Sequence, residues 1–215
     1  MEQMQLAVES DISHIMSLMH GAVCTGMPHD WYVTDDEEFV RRHIGEAKQT
    51  QDLEMEKASL WERNSEGYTL KYTIDGELAA FLIVRHPGEA EDNLGQELWK
   101  MFVEVPPERQ GEHVAINRMP ADRSTRQELL QRTAHMESAA VAPSHRGKGL
   151  QRKLLARAEE IEIARGTKYL MATVHPDNSY SLRNLEAAGY QCVLETEKYG
   201  GLRRKVMCKA LEADN

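Results

Sequence analysis

Polar and apolar residues change their spacing several times along the chain, and each change marks an element. A short apolar segment, Leu6 to Val8, predicts a strand. Ser10 follows as a candidate N-cap, and Ile12, Ile15, Met16 and Met19 then recur at helical spacing. Thr34 precedes Glu37 by three residues, with Asp35, Asp36 and Glu38 in the same turn. A capping box with carboxylates at the positive end of the helix dipole predicts a second helix there, carrying Phe39, Val40, His43, Ile44 and Ala47 inward. Tyr68, Leu70, Tyr72 and Ile74 alternate with Thr69, Lys71 and Thr73, Asp75-Gly76 interrupts, and Leu78 to Val84 is almost continuously apolar. This pattern predicts a β-hairpin whose second arm, apolar on both faces, is a central strand covered on both sides.

From His86 to Thr133 the pattern is less regular, with Pro87, Pro106, Pro107 and Pro120 among several glycines, the composition of an insertion of loops and short elements at about 86–132. Regular alternation then resumes. Ala134 to Val141 reads as strand, Gly149 to Ala164 as helix, Tyr169 to Val174 as strand and Ser179 to Ala188 as helix, with Gly166 and Gly189 where helix C-caps belong. Tyr190, Cys192 and Leu194 open another strand, Tyr199-Gly200-Gly201 turns the chain, and Leu202 to Leu211 returns antiparallel. A mixed α/β sheet within a single domain spanning residues 1–215 follows.

Composition narrows the function classes. A formal charge of -9 argues against nucleic-acid and anionic-membrane partners, which demand a positive field, and favours a cationic or neutral substrate. No stretch approaches the roughly 20 apolar residues of a membrane span, and Met1 to Ser10 lacks the pattern of a secretion signal, so the expected location is cytoplasmic. Cys24, Cys192 and Cys208 lack CxxC spacing and fit reduced thiols, with packing the explanation for Cys192 and Cys208, which fall in predicted strands. The nine histidines show no paired spacing, so no metal site is expected. Arg203-Arg204-Lys205 reads as a solvated strand face.

The segment from Val141 to Leu155 carries the chemistry. Leu150, Leu154, Leu155, Ala158 and Ile161 form one apolar stripe, while Arg146, Lys148, Arg152 and Lys153 crowd the helix start and Glu159, Glu160 and Glu162 come later. Cations at the positive dipole end cost about 0.3–1 kcal/mol each, so an anion should offset them. Gly147 and Gly149 let the backbone approach closely, and N–H groups at a helix start donate to phosphate oxygens. A phosphate or pyrophosphate site is predicted. A Walker loop is excluded, because no glycine stands five before Gly147 and Gly149 follows Lys148; the dinucleotide fingerprint fails at Arg152, where a third glycine belongs.

Val141 through Gln151 resembles the acetyl-CoA signature of the GNAT superfamily of N-acetyltransferases, [RQ]-x-x-G-x-[GA]: Arg146 and Gly149 match, and Gln151 stands at the last position. A second family motif, an Asn then Ser or Ala before a helix ending in Gly-Phe or Gly-Tyr, matches Asn178, Ser181, Gly189 and Tyr190. The resemblance implies a mostly antiparallel central sheet of about seven strands flanked by helices, in which the strand before the loop splays from the next, Tyr169 to Val174. It implies pantetheine paired with the backbone of Ala139, Ala140 and Val141, and pyrophosphate held by N–H groups of Arg146, Gly147, Lys148, Gly149, Leu150 and Gln151. Asn178 would meet the pantetheine arm, with Ser181 beside it. The implied activity is acetyl transfer from acetyl-CoA to a primary amine on a small molecule or peptide, by a monomer or homodimer.

Such a transfer must deprotonate the amine, polarise the thioester carbonyl and protonate the departing thiolate. Backbone N–H groups near Val141 can act on the carbonyl. Strand alternation places His135 and Glu137 on one face with Ala139 and Val141, and either can take the amine proton through water, Glu137 being preferred. The ordinary explanations are an ion pair for Glu137 and a core position for His135. Where many family members place a tyrosine acid, seven after Asn178, this chain has Leu185, leaving Tyr180, Tyr190 or Tyr199 as substitutes. An acyl-CoA-binding or sensing module without chemistry is the competing reading.

Overall fold

Asp75-Gly76 folds as its sequence predicts. In the computed structural model, which describes residues 1–24, 37–42, 44, 67–86, 131–198 and 202–211, both have positive φ, 52° at Asp75 and 86° at Gly76. A two-residue hairpin turn needs this backbone, because its twist then matches that of the strands. The turn joins β2 (Gly67–Ile74) to β3 (Glu77–Arg85) antiparallel, with Tyr68 opposite Val84 and Lys71 opposite Phe81. Ala79 through Val84 are all buried. β3 lies between β2 and β4 (Thr133–Val141), which is why its apolar run is unbroken.

Among the described residues, seven strands form one sheet flanked by helices, a mixed α/β fold. The chain divides into two compact units, Met1–Arg85 with Met136–Ile161 and His86–His135 with Glu162–Asn215. In the first the strand order is β1 (Glu2–Leu6), β2, β3, β4, and β1 pairs antiparallel with β2, Met4 opposite Tyr72. Helix α1 (Ile12–Cys24) and helix α2 (Glu37–Arg42) supply Ile12, Ile15, Met19 and Val40, which pack with Ile44, Phe81, Ile83 and Ala140 in one core cluster. Helix α3 (Leu150–Ala164) buries Leu150, Leu154, Leu155, Ala158 and Ile161, the predicted stripe.

In the second unit the order is β5 (Tyr169–Val174), β7 (Leu202–Ala210), β6 (Gln191–Lys198), and both pairings are antiparallel. Helix α4 (Ser179–Ala187) buries Leu182 and Leu185. Gly166 follows α3 at φ 76° and Gly189 follows α4 at φ 89°, the left-handed residues that end each helix. Burial pushes the Cys208 thiol up to about 12, and Cys192 is half-buried, so both fill space in strands.

Three local expectations are corrected. The first strand is Glu2–Leu6, not Leu6–Val8; its residues are set by pairing with β2, which a mixed polar and apolar strand does not announce by hydrophobicity alone. Ser10 is not a cap, since it lies within a 3-10 turn, Glu9–Asp11. There the Asp11 carboxylate accepts from the Val8 N–H at 2.7 Å and pairs with Lys71 at 2.7 Å. Arg203-Arg204-Lys205 is not a solvated face throughout: Arg204 is 2% exposed, on the side of β7 shared with Val206 and Cys208, and donates to the Arg203 carbonyl at 2.8 Å. The Thr34 capping box, most of the 86–132 insertion and the 199–201 turn lie outside the described residues. Among the described residues, no helix is long and apolar enough to cross a membrane.

Candidate functional site

β4 ends at Val141, and the next residue still keeps the ladder, its Ala142 N–H donating to the Ala79 carbonyl at 2.8 Å. Pro143, with fixed φ and no N–H, then opens a single 3-10 turn, Pro143–His145, closed by the His145 N–H on the Ala142 carbonyl at 2.8 Å. Gly147 and Gly149 follow at φ 79° and 73°. Lys148 between them has negative φ, because Asp75 is the one non-glycine with positive φ among the described residues. Alternating backbone sign turns successive N–H groups toward one side and makes an anion-binding concavity. A Cβ at Gly147 would meet nothing within 4 Å, and at Gly149 the nearest atom is an Arg152 guanidinium nitrogen at 3.4 Å. Backbone conformation, not lack of room, is what calls for glycine here.

The first bond of α3 runs from the Lys153 N–H to the Gly149 carbonyl, 3.1 Å. The N–H groups of Leu150 and Arg152 precede that first bond and lie at the positive end of the helix. Beside them the Arg146 Nε reaches the Val141 carbonyl at 3.4 Å, and Lys148 and Arg152 are exposed.

Lys153 departs from the expectation that the whole basic cluster awaits an outside anion. Its Nζ lies 3.0 Å from Glu2 Oε2 and 3.0 Å from the Tyr72 hydroxyl, which itself donates to the same Glu2 oxygen. The Tyr72 hydrogen bond first, then Lys153, hold the Glu2 carboxyl below its ordinary value, and Tyr72 and Glu2 raise Lys153. Sequence reasoning missed this trio, whose acid and base lie 151 positions apart. The one local sign is an acid and a tyrosine in strands that pair.

The candidate catalytic groups fall in both units. In the first, Glu137 stands at a half-buried position of β4 with its carboxylate 3.5 Å from an Arg85 guanidinium nitrogen, Arg85 being the last residue of β3. The ion pair weighed for Glu137 is therefore present. Ala139 and Val141 are half-buried and Ala140 is buried. In the second, His135 is 2% exposed, while Tyr180 is 66% exposed in the first turn of α4 with the Arg183 guanidinium 5.3 Å from its ring centre. Asn178 caps α4, its Oδ1 accepting from the Ser181 N–H at 3.1 Å. Leu185, seven residues after Asn178, is buried.

A sequence model of the acetyltransferase (GNAT) family matches residues 29–190. No curated protein matches the chain. Among solved structures, yncA of Salmonella typhimurium, classed as an acetyltransferase and solved with its cofactor acetyl-CoA, is 18% identical with a TM-score of 0.58, over 100% of this chain and 95% of its own. An N-acetyltransferase from Staphylococcus aureus is 16% identical with a TM-score of 0.59, over 99% of each chain. A ribosomal-protein-alanine N-acetyltransferase from Brucella melitensis is 18% identical with a TM-score of 0.57, over 97% of this chain and 99% of its own. At such identities the likeness is one of fold.

Proposed function

Because the chain belongs to the acetyltransferase (GNAT) family, we propose that it is a single N-acetyltransferase domain that moves the acetyl group of acetyl-CoA to a primary amine by direct attack in a ternary complex. The observation that carries this reading is the pair of left-handed glycines at 147 and 149, placed between β4 and the open N-terminus of α3. Their geometry offers the main chain from Gly147 through Gln151 to a pyrophosphate, while the Arg146 N–H, expected to join them, closes the 3-10 turn on the Pro143 carbonyl at 3.4 Å. Lys148 and Arg152 add exposed positive charge. The backbone of Ala139, Ala140 and Val141 pairs with pantetheine. Asn178 spends its oxygen on capping α4 and keeps its amide NH₂ as a donor to that arm.

In the reaction a C–N bond forms at the thioester carbon, the C–S bond breaks, and a proton passes from the amine to the sulfur. Glu137 takes the amine proton through water; it is preferred to His135, which is 2% exposed. Backbone N–H groups near Val141 polarise the carbonyl. Tyr180, with its exposed ring, returns the proton to the thiolate. The acidic chain, at formal charge -9, suits a cationic or neutral acceptor on a small molecule or peptide.

Calorimetry with acetyl-CoA, ATP and NAD, followed by measurement of CoA thiol release across a panel of amines, tests the proposal. Saturable acetyl-CoA binding that ATP and NAD do not compete away, and thiol release with at least one amine, are expected. Binding of ATP or NAD in preference to acetyl-CoA would overturn it. Leu185, buried where a tyrosine acid was sought, favours the second reading of a binding or sensing module. Tight CoA binding without turnover on every amine would select that one.

A further inference from the structure

Lys153 is tied to its surroundings twice, once through its main chain and once through its side chain. The main-chain N–H closes the first turn of α3 on the Gly149 carbonyl at 3.1 Å. The ammonium reaches across to the sheet, 3.0 Å from Glu2 on β1 and 3.0 Å from the Tyr72 hydroxyl on β2. An ion pair as exposed as this one, 47% at Lys153 and 54% at Glu2, contributes little alone. Tyr72 changes that, because its ring is buried in the sheet and its hydroxyl touches both charged partners at once. Three mutually bonded groups on three elements fix a geometry that two surface charges do not.

We propose that Tyr72, acting with Glu2 through Lys153, is a positioning residue for acetyl-CoA: it fastens the first turn of α3 to strands β1 and β2, so that the N–H groups around Gly149 stand preorganised for the pyrophosphate. This rests on the function proposed above. Lys153 on this account does not touch the phosphates. Its charge is matched by Glu2, and its contribution is the placement of the turn. Preorganisation lowers the ordering cost of binding, so the effect falls on affinity for acetyl-CoA and not on the chemical step.

Tyr72→Phe removes the shared hydroxyl while leaving both charges, and one lost hydrogen bond in a charged network predicts a KM for acetyl-CoA raised about fivefold. The expected split is that kcat at saturation and KM for the amine stay within about twofold of the parent. Glu2→Gln and Lys153→Met should act in the same direction, and Lys153→Arg should restore part of the loss, since it retains charge and reach. The opposite role for Lys153, as a direct phosphate ligand held back by Glu2, predicts that Glu2→Gln tightens acetyl-CoA binding. That result overturns the proposal, as does an unchanged KM for acetyl-CoA in Tyr72→Phe. So does a parallel loss of kcat, both KM values and melting temperature, which marks a purely structural role. If the parent protein itself fails to bind acetyl-CoA by calorimetry, the proposed function falls and this inference falls with it. Parent binding with an indifferent Tyr72→Phe removes only the inference.

Discussion

Gly149→Asp puts the pyrophosphate assignment to its hardest test. At φ 73° the new side chain adopts a left-handed backbone, which aspartate tolerates better than most residues, at about 1 kcal/mol. Its Cβ meets only the Arg152 guanidinium, 3.4 Å away, so the fold around it need not move. The carboxylate therefore pairs with Arg152 and takes that cation from any bound phosphate. A carboxylate about 5 Å from a phosphate charge, at an effective dielectric constant of about 40, repels it by about 1.7 kcal/mol. Two phosphate charges give about 3 kcal/mol and withdrawal of Arg152 about 1 more, together about a thousandfold in affinity. Calorimetry should find acetyl-CoA binding lost at concentrations that saturate the parent, with the thermal midpoint lowered by only about 2–4 °C. Gly149→Ala separates the two causes, because it carries the backbone strain without the charge and should lose about tenfold or less. Parent-like affinity in Gly149→Asp would refute the reasoning outright, since no phosphate could then lie against that turn.

Glu137→Gln should slow turnover about 100-fold and flatten the acid limb of the pH profile if Glu137 takes the amine proton; an unaltered rate would leave the carboxylate as the partner of Arg85 only. Glu162 is fully buried, and although burial alone raises its pKa, the hydrogen bond and charge of His86 (2.9 Å), the charge of Arg165 and the Thr167 hydroxyl (2.5 Å) outweigh it and hold the carboxyl below its ordinary value. Its stabilising contribution is thus complete above the ordinary glutamate range and lost as pH falls through the lowered value. Glu162→Gln should cost about 3 kcal/mol in chemical denaturation at neutral pH, with a gap to the parent that narrows in acid; a gap independent of pH would contradict the sign. Cys208, with its thiol pushed up to about 12, should resist a thiol reagent at pH 8 until the protein unfolds, which mass mapping of the modified cysteine checks, and prompt labelling would contradict its enclosure.

The fold was legible wherever one short window contains the physics. Period two around Asp75-Gly76, the stripe from Leu150 to Ile161 and the glycines ending α3 and α4 each state their element locally, and the structure has them at those positions. The failures share a different cause. β1 is a strand because β2 pairs with it, with Gln3 opposite Thr73 and Gln5 opposite Lys71, and its own residues carry no strong alternation. Arg204 is buried because alternation along β7 puts it with Val206 and Cys208, although three basic residues in a row suggest solvent. The first outcome depends on a partner distant in sequence, which windowed patterns do not contain; in the second the alternation was inside the window and the run of charge masked it.

The candidate site divides along the same line. Gly147, Gly149 and the start of α3 are a local motif, and their backbone is what the glycine spacing implies. The charge order at the start of α3 is partly answered from within the chain. Cations at a helix N-terminus call for an outside anion only when the rest of the chain supplies none, and Glu2 already supplies one for Lys153. Likewise the carboxylate favoured as base has Arg85 beside it, a neighbour brought by strand order and not by spacing. Once these pairs are subtracted, the main chain calls for a phosphate more than side-chain charge does: two left-handed glycines flank Lys148, the backbone of an anion-binding concavity, and the N-terminus of α3 follows directly. That arrangement persists whatever the neighbouring side chains do, which is why the decisive perturbation belongs at Gly149 and not at any one lysine or arginine.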